Sequence, residues 1–386
     1  MRTKNLFQDL LQSEKTGGVL LVLCTAISLI LANSAAGPAY SGFWHAEVGG
    51  RALEFWINDG LMTLFFLMVG LELEREVYIG ELSRPGQALL PALAALGGML
   101  VPAGIHLLFN HGTSSASGAG IPMATDIAFA IGILSLLGDR VPLPLKIFLT
   151  ALAVIDDLGA ILTIAIFYSG GLQWAYLAGA LALWALAFGL NRRKVERLWP
   201  YLIIGVAMWY CMLRSGVHPT ISGVILAFAI PFGDGSPGSL SHRLQHALHR
   251  PVAFGIMPLF ALANTCILLE PGWIQGLFTP NSLGIFFGLV LGKPIGIVLF
   301  SALTVAVGWA ALPAGTTWKQ LTGVGLLGGI GFTMSIFIAL LAFGDPHLIA
   351  QAKTAILVSS CTAAILGALG LFVVLPKRAA TAQRAD

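Results

Sequence analysis

The stretch LTALAVIDDLGAILTIAIFYSGG, Leu149 to Gly171, is nearly unbroken apolar sequence with two adjacent acids, Asp156 and Asp157, near its middle. A run of about twenty apolar residues is long enough to cross a bilayer as a helix. An ionised carboxylate at the bilayer centre costs roughly 2.5–3.5 kcal/mol even on the lenient insertion scale. Acids kept there are therefore paired or line a water path. Few other ionisable groups fall at membrane depth. They are Asp126 in GIPMATDIAFAIGILSLL and Lys293 in GLVLGKPIGIVLF, with Asp59 in WINDGLMTLFFLMVG nearer the outer end of its span.

Successive side chains on a helix point about 100° apart. Asp156 and Asp157 cannot then face one partner squarely. One can face an aqueous cavity while the other faces a neighbouring helix, and the small residues Ala153 and Ala160 leave room beside them. Lys293 is the only cation available to a buried acid. Two adjacent acids titrate as a coupled unit. A carboxylate holds a proton or a small cation, but not both, and that competition is the elementary step of cation/proton exchange. A structural ion pair needs only one acid, so the second points to function.

The rest of the chain has to hold these groups inside a membrane. Of its 386 residues 57% are apolar and only 10% charged, with 46 glycines, and the mean hydropathy is +0.86. Soluble domains carry about a quarter charged residues. The sequence reads as one integrated membrane domain over 1–386. A polar segment over 1–16 and a tail over 376–386 lie on the cytoplasmic side, and no cleavable-signal pattern is present. The four cysteines lie singly in apolar sequence with no metal-ligand spacing and read as buried small hydrophobes. A net charge of +3 is too small to argue for nucleic acid.

Apolar runs bounded by polar or Gly/Pro breaks predict about twelve spans, near 17–33, 55–73, 88–109, 121–137, 143–169, 173–190, 199–213, 217–231, 251–269, 283–307, 321–343 and 352–375. Of the 21 basic residues, all but four fall in loops on the side of the termini; Arg51, Arg214 and Lys353 fall on the other side and Lys293 within a span. That bias places both termini in the cytoplasm. Span four carries Pro122, Thr125 and Asp126. Span eleven packs Gly323, Gly325, Gly328, Gly329 and Gly331 together, and each glycine weakens a helix by roughly 1 kcal/mol relative to alanine. Each is the middle span of a triplet, three to five and ten to twelve. The triplets are seven spans apart and so enter from opposite sides, the layout of an inverted repeat with interrupted helices at the transport site. Where two broken helices cross, an acid suits the meeting of positive N-terminal ends and a base the meeting of negative C-terminal ends. Asp126 and Lys293 are placed for those roles; a salt bridge to an acid is the alternative for Lys293.

In this order, TDIAFAIGILSLLG, ALAVIDDLGAI, SGVHPTISGVI, LGKPIGI and GGIGFTMSIFIA, with WINDGLMTLFFLMVGLELERE, closely resemble the NhaA family of bacterial sodium/proton antiporters. The resemblance runs essentially end to end. This family is itself a type example of the inverted repeat, so the two signs are not independent. The resemblance implies an all-α polytopic protein of the bacterial inner membrane that exports Na+ or Li+ in exchange for H+. It implies electrogenic exchange, activated at alkaline pH through a cytoplasmic cluster. Asp157 would be the main sodium or lithium ligand, with Asp156 exchanging protons beside it. Lys293 would pair with Asp156 or compensate helix dipoles, and Thr125 and Asp126 would sit at the helix break. Glu72 and Glu76 match the cytoplasmic cluster, and His218 matches a histidine linked to pH response. An interfacial histidine in a short loop is the other reading of His218. No cofactor is implied.

The chain departs from the family pattern at SHRLQHALHRP, where Gln245 replaces a glutamate and His242, His246 and His249 crowd one segment. These histidines suit either pH response or a solvated cytoplasmic face. In the family an outer loop can form a β-hairpin that joins two protomers; the loop here shows little strand alternation, a weak basis for a homodimer. A potassium/proton exchanger or another proton-coupled carrier on the same fold is the alternative function. An organic substrate would want aromatic and polar lining that the IDD region lacks. Enzymatic readings do less well: there is neither the GxGD element of an aspartyl protease nor the HExxH of a zinc protease.

Overall fold

The computed structural model describes residues 14–269 and 271–376. The expected cytoplasmic N-terminal segment and tail lie almost wholly outside these residues. The described chain is mostly helical. Its helices are α1 (Glu14–Ala32), α2 (Gly37–His45), α3 (Leu53–Tyr78), α4 (Pro85–Asn110), α5 (Ile127–Leu136), α6 (Leu143–Phe167), α7 (Trp174–Arg192) and α8 (Leu198–Ser215). They continue as α9 (Ile221–Ala227), α10 (Leu240–Pro251), α11 (Met257–Asn264), α12 (Pro280–Ala306), α13 (Trp318–Gly328), α14 (Phe332–Ala342) and α15 (Pro346–Val374).

Among the described residues, six helices are long and apolar enough to cross a membrane, and up to nine if each of three bent pairs counts as one span. Large apolar side chains such as Leu108, Phe167 and Val373 stand exposed on the outside, as a bilayer-facing surface requires. One bent pair is α1 and α2, folded at 114°. The other two are the 3₁₀ segment Ser114–Met123 with α5, at 43°, and α13 with α14, at 47°. These two breaks fall in the stretches whose proline and glycine content predicts interruption. At Gly329 a Cβ would lie 2.3 Å from the carbonyl oxygen of Leu289, so the second break lets α12 approach where no side chain fits.

Two π-turns have a local cause. Gly288–Gly292 and Val252–Ile256 each centre on the residue four before a proline, Pro294 and Pro258. A proline ring clashes with the carbonyl at that position. Widening the turn keeps the helix continuous. The second π-turn joins α10 to α11, so the helix here begins about eleven residues before position 251, where the apolar run starts. Ser239 starts it by accepting a hydrogen bond from the His242 amide.

Two further expectations are corrected. Glu47–Val48 and Arg51–Ala52 form an antiparallel hairpin, β1 and β2, around Gly49 and Gly50 at φ +64° and +78°. The Gly-Gly pair, not strand alternation, was its signal. Lys353, assigned to an outer loop, lies more than a turn inside α15 and is buried.

The buried apolar residues form two clusters. The larger surrounds α6 and the two breaks. The smaller joins the far end of α3 to α7, α8 and α9.

Candidate functional site

α6 carries both acids into the centre, where Asp156 is 0% and Asp157 2% exposed. Their directions diverge as helical geometry requires. Asp156 Oδ2 lies 2.7 Å from Lys293 Nζ and 2.8 Å from Thr125 Oγ1. Asp157 lines a cavity of about 230 Å³ instead. Oδ1 of each acid has no hydrogen-bond partner among the described residues. Such buried acceptors are costly unless something positive or protic is supplied.

The two breaks cross beside this pair. The Asp126 amide donates to the Ile330 carbonyl at 2.7 Å, tying one break to the other. Two helix N-termini meet there, and Asp126 answers both. Its Oδ1 caps α5 by accepting from the Phe129 amide at 3.0 Å. Its Oδ2 accepts from the Thr333 amide of α14 at 3.2 Å and from the Thr333 hydroxyl. The opposite ends present carbonyls. Lys293 Nζ donates to the Met123 carbonyl, and Thr125 Oγ1 lies 2.8 Å from the Gly328 carbonyl. Lys293 therefore makes both contacts that its sequence position left as alternatives. A helix terminus carries about half a unit charge, so acid and base each sit against the complementary sign.

Thr125 holds a single hydroxyl hydrogen between two acceptors, Asp156 and Gly328, when Asp156 is ionised. A protonated Asp156 can instead donate to Thr125, which then donates to Gly328. The threonine accommodates either proton state without moving.

The other candidates separate into two groups. Glu72, Gln245 and His249 line the cavity that reaches Asp157. Glu76 does not: its Oε2 accepts from the Glu81 amide at 3.0 Å. His246 is exposed and is not part of the cavity wall. His218 stands with Asp59 instead of with this group. Its Nε2 lies 3.1 Å from Asp59 Oδ1, its Nδ1 is 2.7 Å from Thr220 Oγ1, and its ring meets Phe337 edge-on at 5.4 Å. Sequence reasoning assigned no role to Thr333, although GGIGFTMS contains it, or to the Met123 and Gly328 carbonyls, which no residue type reveals.

Residues 8–371 match the family described as Na+/H+ antiporter 1. The chain is 61% identical over 375 residues to the Na(+)/H(+) antiporter NhaA of Cytophaga hutchinsonii, covering 97% of each protein. It is 58% identical over 369 residues to the protein of the same name from Dechloromonas aromatica, covering 95% of each. Against that of Vibrio campbellii it is 48% identical over 382 residues, covering 97% of each. With several membrane-capable helices and a match of this extent, the chain is a multi-pass membrane protein that belongs to the Na+/H+ antiporter 1 family.

Proposed function

We propose that the chain exports sodium, and lithium, across the bacterial inner membrane in exchange for protons. The observation that carries this reading is the divergence of the pair: Asp156 is paired with Lys293, while Asp157 lines the cavity with an oxygen that has no hydrogen-bond partner among the described residues. Asp157 then takes the cation and Asp156 joins it in proton exchange. Among the described residues no group of three or more His, Cys, Asp or Glu is placed to hold a metal ion.

Protons and sodium compete for the same carboxylates. The cycle is electrogenic, with more protons entering than sodium ions leaving. Twelve spans, an inverted repeat of spans three to five and ten to twelve, and cytoplasmic termini complete the reading. In it the crossed breaks expose the pair alternately to either side. The opposed half-helices, answered by Asp126 and Lys293, support this because the site is held by polar contacts rather than by continuous helix. Activation at alkaline pH is assigned to Glu72 and His249 at the cavity. Glu76, His246 and His218 are the less favourably placed candidates. A homodimer through the β1–β2 hairpin belongs to the same reading.

The test is pH-gradient dequenching in everted vesicles on adding sodium, lithium or potassium. Sodium and lithium should dequench and potassium should not. A response to potassium alone would replace this reading with potassium/proton exchange.

A further inference from the structure

A second cavity, of about 470 Å³, lies away from the acid pair. Its walls include Glu74 and Tyr78 at the end of α3, Phe188 of α7, Phe228 and Phe232 after α9, and the loop residue Asp234. α3, α7 and α9, which carry or precede these residues, also carry the smaller apolar cluster. Neither acid lines the cavity at Asp157.

Glu74 is only 3% exposed. Among the described residues its side chain has one hydrogen bond, a long one, from Ser241 Oγ to Oε2 at 3.3 Å. None of the ion pairs among the described residues involves it. A buried carboxyl this poorly supported either keeps its proton or takes a counter-charge. The walls beside it are aromatic: Tyr78 and Phe232 have ring centroids 4.9 Å apart, tilted by 42°. Aromatic faces attract cations. The Arg192 guanidinium already lies over Phe188 at 5.1 Å. Asp234 adds a second negative charge near the rim. Hydrogen bonds from Ser236, side chain first, hold its carboxyl below the usual value.

A hard metal ion favours several carboxylate ligands, and among the described residues no group of three or more His, Cys, Asp or Glu is placed to hold one. An anion would meet two acids. We infer that this cavity binds an organic ammonium ion, with Glu74 as its counter-charge and the rings of Tyr78, Phe188, Phe228 and Phe232 as its walls. The volume falls within the roughly 300–1,000 Å³ of small-molecule sites. The ammonium group can belong to a soluble amine or to the head of phosphatidylethanolamine, because the recognising chemistry is the same.

The experiment is calorimetric titration of the purified full chain with tetramethylammonium and 1,4-diaminobutane, in potassium chloride at fixed ionic strength. Saturable binding is expected, weakened about tenfold or more by Glu74→Gln. Phe232→Leu keeps an apolar side chain but removes the ring, and should weaken binding about threefold to tenfold. Asp157→Asn should bind the probes normally, and Glu74→Gln should retain sodium/proton exchange. Displacement of the probe by phosphatidylethanolamine identifies the lipid head as the natural source; persistence of the probe identifies a soluble amine. Either keeps the ammonium assignment. No saturable binding, equal binding by Glu74→Gln, or loss of binding in Asp157→Asn overturns it.

Discussion

Lys293 Nζ lies 2.7 Å from Asp156 Oδ2 with neither side chain exposed, and the same ammonium donates to the Met123 carbonyl. One lysine thus answers an acid and the C-terminal end of a half-helix together. Asp157, the next residue, is left to the cavity. The two acids therefore differ in what their removal leaves behind.

Asp157→Asn should abolish sodium/proton exchange while leaving a folded protein. Asparagine keeps the shape but can neither release a proton nor neutralise a cation. Asp157 makes no ion pair among the described residues, so no partner there is stranded. Vesicle dequenching reads the first effect and thermal unfolding in detergent the second. Normal exchange by the variant would remove Asp157 from the site.

Asp156→Asn should also stop exchange, but at a cost in stability. Removing one partner of a buried pair typically costs about 3–5 kcal/mol, because the other charge is left uncompensated. Lys293→Gln should lower the unfolding temperature for the same reason. The double variant Asp156→Asn/Lys293→Gln removes both charges and should recover much of the loss. Additive losses in the double variant would mean that the pair is not what holds these groups.

The helix breaks were legible in the sequence because their causes are local. Pro122 and the glycines from Gly323 to Gly331 disfavour a helix wherever they stand. The placing of Asp126 and Lys293 was legible too, since charge at membrane depth has few solutions. What could not be read was tertiary. Glu72 and Glu76 look alike in LELERE, yet only Glu72 lines the cavity, while Glu76 is held by the Glu81 amide. His218 and Asp59 are far apart in sequence and meet only through folding. Lys353 stands at the edge of an apolar run, where the sequence does not separate a loop from a helix. Here Asp345 caps α15 well before it.

That correction changes how the topology should be tested. Lys353 is too buried to report on a side of the membrane, whereas His347 and Arg193 are exposed. In a chain freed of its native cysteines, His347→Cys should react with an impermeant maleimide from outside and Arg193→Cys only from the cytoplasmic face. This follows from the excess of basic residues on one side. The reverse pattern would invert the proposed orientation.

Sodium and protons should compete for one site, so that apparent sodium affinity weakens as pH falls. At high pH the pair is ionised, and Asp157 offers its charge to the cation. At low pH a proton occupies the pair, and the site loses the charge that binds sodium. Each proton displaced by one sodium ion weakens the apparent affinity by a limiting factor of about ten per pH unit. Thr125 fits such a cycle, because its hydroxyl can donate to an ionised Asp156 or accept from a protonated one. A separate sensor at Glu72 or His249 would alter turnover and leave this slope in place. Titrating the purified protein with sodium at several pH values, while following proton release, separates the two effects. An affinity that stays flat from acid to alkaline pH, with no proton released on binding, would rule out competition at the pair.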